Sequence, residues 1–330
     1  KTDQTRSEVV RCAAIVGGGV IGSGWAARFL LHGWDVSVYD PNPDTKREVT
    51  AVLENARYSY RQLYSEELPE EGNLFFSDSV SMAVSEASWI QESVPEAISN
   101  KLSTLKEIQE ACKKNAIIGS STSGFMPSEL QKDLPNPGQI LVAHPYNPVY
   151  LLPVVELVPS KVVSESTTLR ATELLKGISM KPVIVKSEIP AHIGDRLMEA
   201  LWREALWLVK DGIASTQQID EIITHGFGLR WAQMGLFETF RIAGGESGMK
   251  HFLDQFGPYL SAPWSKLTDV PEMNEALIQL IVKQSDKQSG HLKIKELEKI
   301  RDKNLVNFLL ALKDSNWGAG RLLNKDESKI

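Results

Sequence analysis

The chain has 330 residues, which is long enough for two domains and a sizeable hydrophobic core. Hydrophobic residues make up 42% and charged residues 24%, as in an ordinary globular protein, and no apolar run reaches the roughly 20 residues of a membrane span. The net charge of −6 argues against a nucleic acid or an anionic membrane surface as a partner.

Short apolar runs alternate with amphipathic segments in the first half of the chain. This pattern predicts strand–helix–strand units and a mostly parallel sheet. The predicted strands are Cys12–Val16, Asp35–Tyr39, Leu74–Ser77, Trp89–Ser93, Ala116–Ser120, Ile140–Ala143, Val154–Leu157 and Val183–Val185. Helices are predicted over Ser23–Leu31 and Asp44–Tyr64.

A glycine-rich turn, Gly17-Gly18-Gly19-Val20-Ile21-Gly22, lies between the first strand and the first helix. In this context the Gly-x-Gly-x-x-Gly pattern indicates dinucleotide binding. Gly17 allows a tight turn, Gly19 lets the backbone approach a pyrophosphate, and Gly22 lets the helix pack closely on the sheet. Val20 and Ile21 lie where the helix would offer N–H groups to phosphate.

Asp40 follows the second strand, about twenty residues after the glycines, where an acidic residue binds the adenosine ribose. Its charge would repel a 2′-phosphate, and the next residues, Pro41-Asn42-Pro43, include no arginine. The predicted cofactor is therefore NAD rather than NADP.

Beyond residue 189 the pattern changes to long helical stretches such as Ala191–Lys210 and Thr216–His225. Pro190 is well placed to open the first of these helices in its first turn. We predict an α/β fold in which a Rossmann-type sheet domain of residues 1–189 precedes an all-helical domain of residues 190–330. The active site is expected where the helical domain meets the carboxyl ends of the strands.

His144 follows a predicted strand, and Glu156 lies twelve residues later within an otherwise apolar strand. A buried carboxylate needs a partner, and a histidine N–H would leave the other ring nitrogen as a base. Each residue alone also fits an ordinary loop histidine and a salt-bridge carboxylate. The hydroxyl-rich turn 119–124 can cap the helix that follows Pro127 or hold a substrate oxygen.

Together these motifs resemble the L-3-hydroxyacyl-CoA dehydrogenases over nearly the whole chain. The resemblance rests on the glycine-rich turn, Thr122-Ser123, His144-Pro145-x-Asn147-Pro148, Glu156 and Met234-Gly235-x-Phe237-Glu238. It implies that His144 is the general base, that Glu156 orients it, and that Ser123 binds the 3-hydroxyl group of the substrate. It also implies a homodimer formed through the helical domain.

The same resemblance places Glu96 and Lys101 near the nicotinamide ribose. The alternative is that Glu96 is a carboxylate at a helix start and that Lys101 is a solvated lysine.

Longer segments at residues 202–207, 230–239 and 241–246 resemble the branch of this superfamily that acts on small acids rather than thioesters. This resemblance implies that the substrate is L-carnitine, which carries a quaternary ammonium group. An acidic hairpin carrying Glu66, Glu67, Glu70 and Glu71 would repel the phosphates of coenzyme A. A quaternary ammonium group is bound by aromatic faces and attracted by carboxylates. The candidate substrate residues are Ser123, Tyr146, Asn147, Asp195, Trp231 and Phe256.

Two alternatives remain open at this point. Lambda-crystallin, which resembles the enzyme that oxidises L-gulonate, shares parts of the same segments. A structural protein that binds a nucleotide without turnover would also retain the fold.

The cysteines, the N-terminal segment and the histidines indicate where the protein is located and whether it binds a metal. Cys12 and Cys112 form no paired motif, and Lys1–Arg11 lacks the hydrophobic core of a signal peptide. These features predict a cytoplasmic enzyme. The six histidines show no metal-ligand spacing, so no metal is expected.

Overall fold

A computed structural model of the chain describes residues 11–63, 68–261, 265, 274–294 and scattered positions from 296 to 315. The chain divides into two compact units, Lys1–Leu197 and Met198–Ile330. The predicted boundary between residues 189 and 190 stays a prediction. Two glutamates of the predicted acidic hairpin, Glu66 and Glu67, lie outside the described residues.

The first unit contains an eight-stranded sheet. Its strands are β1 (Cys12–Val16), β2 (Asp35–Tyr39), β3 (Leu74–Phe76), β4 (Trp89–Glu92), β5 (Ile117–Ser120), β6 (Ile140–Pro145), β7 (Val154–Val158) and β8 (Lys181–Ile184). They lie in the order β3-β2-β1-β4-β5-β6-β7-β8, and neighbours are parallel except for the antiparallel pair β6–β7. The predicted α/β fold class and mostly parallel sheet are confirmed.

The alternation of side chains along β1 explains why the sheet has a core on each face. Ala13 and Ile15 pack in one buried cluster, and Ala14 and Val16 pack in the other. Residues two apart in a strand point to the same face, so one apolar strand supplies both cores.

Helices of the first unit cover both faces of the sheet. One core contains residues of α1 (Val20–Leu31), α2 (Thr45–Leu63) and α6 (Glu165–Gly177). The other contains residues of α3 (Val80–Val84), α4 (Ile98–Ala111) and α5 (Pro127–Leu130). This arrangement leaves the carboxyl ends of the parallel strands as the edge where loops can build a site.

The helix that follows the sheet begins later than the sequence predicts. Helix α7 spans Gly194–Lys210, so Pro190 lies before the helix and not in its first turn. Ala191 and His192 have φ values of 62° and 51°, in the left-handed region. A right-handed helix cannot run through such residues, which is why the prediction of a start at Ala191 was wrong.

In the second unit, the described residues form helices joined by turns and contain no strand, as predicted. Its helices are α8 (Thr216–Ile222), α9 (Gly228–Ala243), α10 (Gly248–Phe256) and α11 (Glu275–Ser289). A wide helical turn, Ile223–Phe227, replaces the predicted end of the helix Thr216–His225. Among the helices that are described, none combines the length and the apolar character needed to cross a membrane.

Polar contacts join α9 to α11 within the second unit. Arg241 Nη1 lies 2.7 Å from Asp286 Oδ1, and Ser289 Oγ donates to the buried carboxylate of Glu238. Both pairs connect residues that are distant in sequence, so they hold the two helices in a defined register.

Candidate active site

The glycine-rich turn has the geometry that a dinucleotide requires. Gly17 has φ 100°, and a Cβ atom there would lie 2.5 Å from the backbone of Ser93. A Cβ on Gly22 would lie 1.8 Å from the carbonyl oxygen of Gly17. By contrast, a Cβ on Gly19 would meet no atom of any residue that the structure describes within 4 Å, so the backbone there is open to a phosphate.

The start of α1 faces the same turn. Gly19 is the N-cap residue, and no side chain among the described residues caps the helix. The first N–H groups of α1, at Val20 and Ile21, are therefore available to an anion, and the helix dipole favours negative charge there. These residues fit the pyrophosphate of NAD.

Asp40 lies at the end of β2 and is held against the glycine-rich turn. Its Oδ2 accepts a hydrogen bond from Gly18 N at 2.7 Å, and its Oδ1 accepts one from Asn42 N at 2.8 Å. A carboxylate has about four acceptor sites, so capacity remains for ribose hydroxyl groups. The carboxylate is thus oriented by backbone groups beside the turn.

His144 and Glu156 occupy directly opposite positions of the antiparallel pair β6–β7. His144 Nδ1 lies 2.9 Å from Glu156 Oε2, and both side chains are buried. The ionised carboxylate can only accept, so Nδ1 carries the proton and Nε2 presents a lone pair.

Four donors converge on Glu156. Burial alone would raise its pKa, but hydrogen bonds from His144, the Ile193 and Gly194 N–H groups and the Tyr146 hydroxyl lower the pKa to about 2. The backbone donors lie 2.9 and 3.1 Å from Oε1, and Tyr146 Oη lies 3.1 Å from Oε2. Burial and the neighbouring Glu156 raise the pKa of the Tyr146 hydroxyl. Glu156 is therefore an anion held in one orientation.

The open nitrogen of His144 faces two polar side chains. Nε2 lies 3.2 Å from Ser123 Oγ and 3.8 Å from Asp195 Oδ2. Asp195, in the first turn of α7, is about one-quarter exposed, at 26% of its side-chain surface. The sequence-predicted residues Ser123, His144, Tyr146, Glu156 and Asp195 thus come together in one cluster.

A second buried cluster surrounds Lys101 on α4. Its Nζ lies 2.9 Å from Glu92 Oε1, 3.3 Å from Glu96 Oε2 and 3.1 Å from the Val94 carbonyl oxygen. Lys101 is 1% exposed and Glu92 is fully buried, so Lys101 is not the solvated lysine of the alternative interpretation. Its three protons are directed at these acceptors, and its part in cofactor binding stays a prediction.

Glu96 connects this second cluster to the turn that carries Ser123. Thr122 Oγ1 donates to Glu96 Oε1, and Gly124 N donates to the same oxygen at 3.1 Å. Burial alone would raise the pKa of Glu96, but Thr122 and the charge of Lys101 hold it below its usual value.

The prediction that the hydroxyl-rich turn 119–124 caps the helix after Pro127 was wrong, because Met126 is the N-cap of that helix.

Sequence reasoning missed two buried residues of this region. Glu92 ends β4 and accepts from Lys101, Val94 N and Ser120 Oγ. His192 is fully buried, and its Nε2 lies 3.0 Å from the Thr122 carbonyl oxygen. A polar residue in an apolar strand was the available signal for Glu92, whereas His192 had none.

The other predicted substrate residues lie in the loop after β6 or in the second unit. Asn147 is exposed in the loop after β6. Trp231 and Phe256 belong to the second unit, where Trp231 packs on Phe227 and Phe256 packs on Phe252. Their contact with substrate stays a prediction.

Comparison with known proteins identifies the family of both parts of the chain. Residues 12–189 match the family described as 3-hydroxyacyl-CoA dehydrogenase, NAD binding domain, and residues 192–277 match its C-terminal domain. The predicted cofactor, NAD, is confirmed.

Named relatives cover almost the whole chain. The chain is 60% identical over 318 residues to the L-carnitine dehydrogenase/betainyl-CoA thioesterase of Ruegeria pomeroyi, covering 96% of this chain and 65% of that protein. It therefore spans less than two thirds of that relative's length. It is also 51% identical over 326 residues to the L-carnitine dehydrogenase of Mesorhizobium japonicum, covering 97% of this chain and 89% of that protein.

A solved structure shows the same architecture. The NAD⁺-dependent 5-formyl-3-hydroxy-2-methylpyridine 4-carboxylic acid 5-dehydrogenase superimposes with a TM-score of 0.72 at 28% identity, covering 92% of this chain and 99% of that one. Family matches along both units, close relatives and a common fold agree with the resemblance in the motifs: the chain belongs to the 3-hydroxyacyl-CoA dehydrogenase family.

Proposed function

We propose that the chain oxidises the 3-hydroxyl group of L-carnitine to give 3-dehydrocarnitine, with NAD as the acceptor. The observation that carries the chemistry is the orientation of His144, whose Nδ1 is bound by Glu156 while Nε2 faces Ser123 Oγ at 3.2 Å. The choice of substrate is supported by the relatives from Ruegeria pomeroyi and Mesorhizobium japonicum, whose names include L-carnitine dehydrogenase.

The side chains of the protein remove the proton of the substrate hydroxyl group. Ser123 Oγ binds the hydroxyl oxygen and places its proton at His144 Nε2, which accepts it. Glu156 then faces an imidazolium at 2.9 Å, and the negative charge stabilises it. Bound NAD supplies the acceptor for the hydride that leaves C3, so proton and hydride together account for the two electrons lost.

Cofactor binding is assigned to the carboxyl edge of the sheet. The backbone of Gly17, Gly19 and Gly22, with Val20 and Ile21 at the start of α1, would hold the pyrophosphate. Asp40 would accept the ribose hydroxyl groups of the adenosine. Glu96 and Lys101 would lie near the nicotinamide ribose, as the family resemblance implies.

The charge of the site favours a cationic substrate. Asp195 and Glu156 place two carboxylates around His144, and the Tyr146 ring centroid lies 5.3 Å from that of His144. A trimethylammonium group gains from both the aromatic face and the negative charge. Asn147, Trp231 and Phe256 complete the proposed set of substrate residues.

A substrate panel tests this function directly. Purified chain is mixed with NAD and with L-carnitine, L-gulonate or 3-hydroxybutyryl-CoA, and NADH formation is measured by absorbance. We expect the highest kcat/KM with L-carnitine. A preference for L-gulonate would instead assign the chain to the branch that includes lambda-crystallin. If none of the three compounds gave NADH, the chain would be interpreted as a non-catalytic nucleotide-binding protein. The homodimer and the cytoplasmic setting are part of the same proposal.

A further inference from the structure

His192 lies in a short segment that reaches from the Ser123 turn to Glu156. Ala191 N donates to the Gly124 carbonyl oxygen at 3.1 Å, and His192 Nε2 lies 3.0 Å from the Thr122 carbonyl oxygen. Ser123 is thus bracketed, because the carbonyl groups on both sides of it are held by consecutive residues of this segment.

The same segment also binds Glu156, the partner of His144. Directly after His192, the N–H groups of Ile193 and Gly194 both donate to Glu156 Oε1. Residues 191–194 therefore hold both the backbone around Ser123 and the Glu156 carboxylate. Since Ser123 Oγ and His144 Nε2 are 3.2 Å apart, a shift of this segment would change their alignment.

The hydrogen bond identifies the protonated nitrogen of His192. A carbonyl oxygen can only accept, so Nε2 carries the proton. Nδ1 is buried and makes no hydrogen bond with any residue that the structure describes. Burial lowers the pKa of His192, and its hydrogen bond to the Thr122 carbonyl oxygen opposes this shift only in part.

The backbone of His192 is also in an uncommon conformation. Its φ of 51° lies in the left-handed region, which non-glycine residues adopt rarely and at a cost. Such a conformation persists where the surroundings hold it, and the bond to Thr122 is one such contact.

We propose that His192 is a positioning residue, which fixes the Thr122 carbonyl group and so aligns Ser123 Oγ with His144 Nε2. This inference rests on the proposed function, because it takes Ser123 and His144 as the groups that receive the substrate hydroxyl. It assigns His192 no contact with substrate.

The test compares two substitutions that differ in one donor. His192→Phe keeps a planar ring but removes the N–H, whereas His192→Gln can place an amide N–H near the former Nε2 position. We expect His192→Phe to lower kcat by about 10- to 100-fold, the scale for a small misplacement of reacting groups, with an unchanged KM for NAD. His192→Gln should recover most of the lost kcat.

His32 provides a matched control elsewhere in the first unit. It is also buried, its Nδ1 lies 2.7 Å from the Arg28 carbonyl oxygen, and burial lowers its pKa. It lies just after α1, whereas the glycine-rich turn precedes that helix. His32→Phe should lower the melting temperature without changing kcat per folded molecule.

Equal kcat values for His192→Phe and His192→Gln at equal folded fractions would overturn the proposal.

A second measurement does not depend on activity. Long-range ¹H–¹⁵N correlation spectra of the wild type report which nitrogen of each histidine is protonated. We expect the Nε2–H form of His192 at neutral pH, and an Nδ1–H form would overturn the inference even if His192→Phe failed to fold. The kinetic comparison uses whichever 3-hydroxy substrate the wild type oxidises. Failure with L-carnitine alone therefore counts against the proposed function and not against the role of His192.

Discussion

His144 and Glu156 face each other across the antiparallel pair β6–β7, with His144 Nδ1 2.9 Å from Glu156 Oε2. This register explains their spacing of twelve residues in the sequence, because the chain leaves β6, turns and returns beside it. Directly opposite side chains of an antiparallel pair lie on the same face, so the pairing is built into the ladder.

Removing the proposed base, His144, should abolish most turnover. His144→Ala deletes the only group assigned to accept the hydroxyl proton, and we expect kcat to fall by roughly 10²–10⁴-fold. NAD affinity, measured by fluorescence titration, should hardly change because the glycine-rich turn is untouched. Retention of more than half of wild-type turnover at pH 9 would assign proton removal to another group.

Neutralising Glu156 should cost stability in a pH-dependent way. Its pKa is depressed from 4.5 to about 2, so the carboxylate stabilises the folded state above pH 4.5, and this contribution is lost as the pH falls through about 2. The shift corresponds to about 3 kcal/mol at pH 7. In urea unfolding, Glu156→Gln should have a free energy of unfolding lower than that of the wild type by this amount. The difference should shrink below pH 4.5.

The surface residue Glu173, paired with Lys176, provides the control for this measurement. Glu173→Gln should leave the free energy of unfolding nearly unchanged, as exposed ion pairs contribute little. A Glu156→Gln deficit that stayed constant from pH 7 to pH 3 would contradict the assignment of the lowered pKa.

Cofactor preference should depend on Asp40. Asp40→Ala removes an acceptor for ribose hydroxyl groups and relieves repulsion of a 2′-phosphate, so the ratio of kcat/KM for NAD and NADP should fall about tenfold or more. Asp44→Ala, which removes an exposed carboxylate at the start of α2, is the matched control. An unchanged ratio in Asp40→Ala would move the determinant of specificity elsewhere.

Substrate selectivity should depend on the positive charge of the substrate. A neutral analogue with tert-butyl in place of trimethylammonium should react about 5- to 150-fold less efficiently, a difference of about 1–3 kcal/mol. Tyr146→Leu should narrow this gap because it removes the ring face. Equal kcat/KM for both substrates on the wild type would sink the carnitine assignment.

The hydroxyl group of Tyr146 requires a separate control, since it donates to Glu156. Tyr146→Phe keeps the ring and removes only that hydrogen bond. It should preserve the preference for the cation even if kcat falls. A loss of preference in Tyr146→Phe equal to that in Tyr146→Leu would show that the ring face is not responsible.

The buried ion pair of Lys101 and Glu92 should matter for stability. Lys101→Met leaves the fully buried Glu92 carboxylate without its cation, which costs about 3–5 kcal/mol. The double variant Glu92→Gln/Lys101→Met should be more stable than Lys101→Met. Lys113→Met breaks a surface pair with Glu86 and should cost much less in the same denaturant titration.

Local patterns in the sequence were sufficient to predict much of the fold. All eight strands overlap the apolar runs that predict them. The central strands β4 and β5 are buried along their whole length, because burial on both faces of a parallel sheet requires a continuous apolar segment. The glycine-rich turn and Asp40 were equally predictable, since their spacing reflects one strand–helix–strand unit. The His144–Glu156 contact was predicted from the cost of burying a lone carboxylate, and the structure places them together.

Other features of the site depend on contacts that no local pattern encodes. The start of α7 was mispredicted because the left-handed backbone of Ala191 and His192 is held by bonds to Gly124 and Thr122, more than sixty residues earlier in the chain. Likewise, only the folded chain brings the Tyr146 hydroxyl to Glu156 and buries Lys101 against Glu92. The sequence by itself determined the strands, the glycine-rich turn and the pairing of His144 with Glu156, because these follow from periodicity and the cost of burial. The tertiary structure alone decided what surrounds and aligns them, because long-range hydrogen bonds select one backbone conformation among several that the local sequence allows.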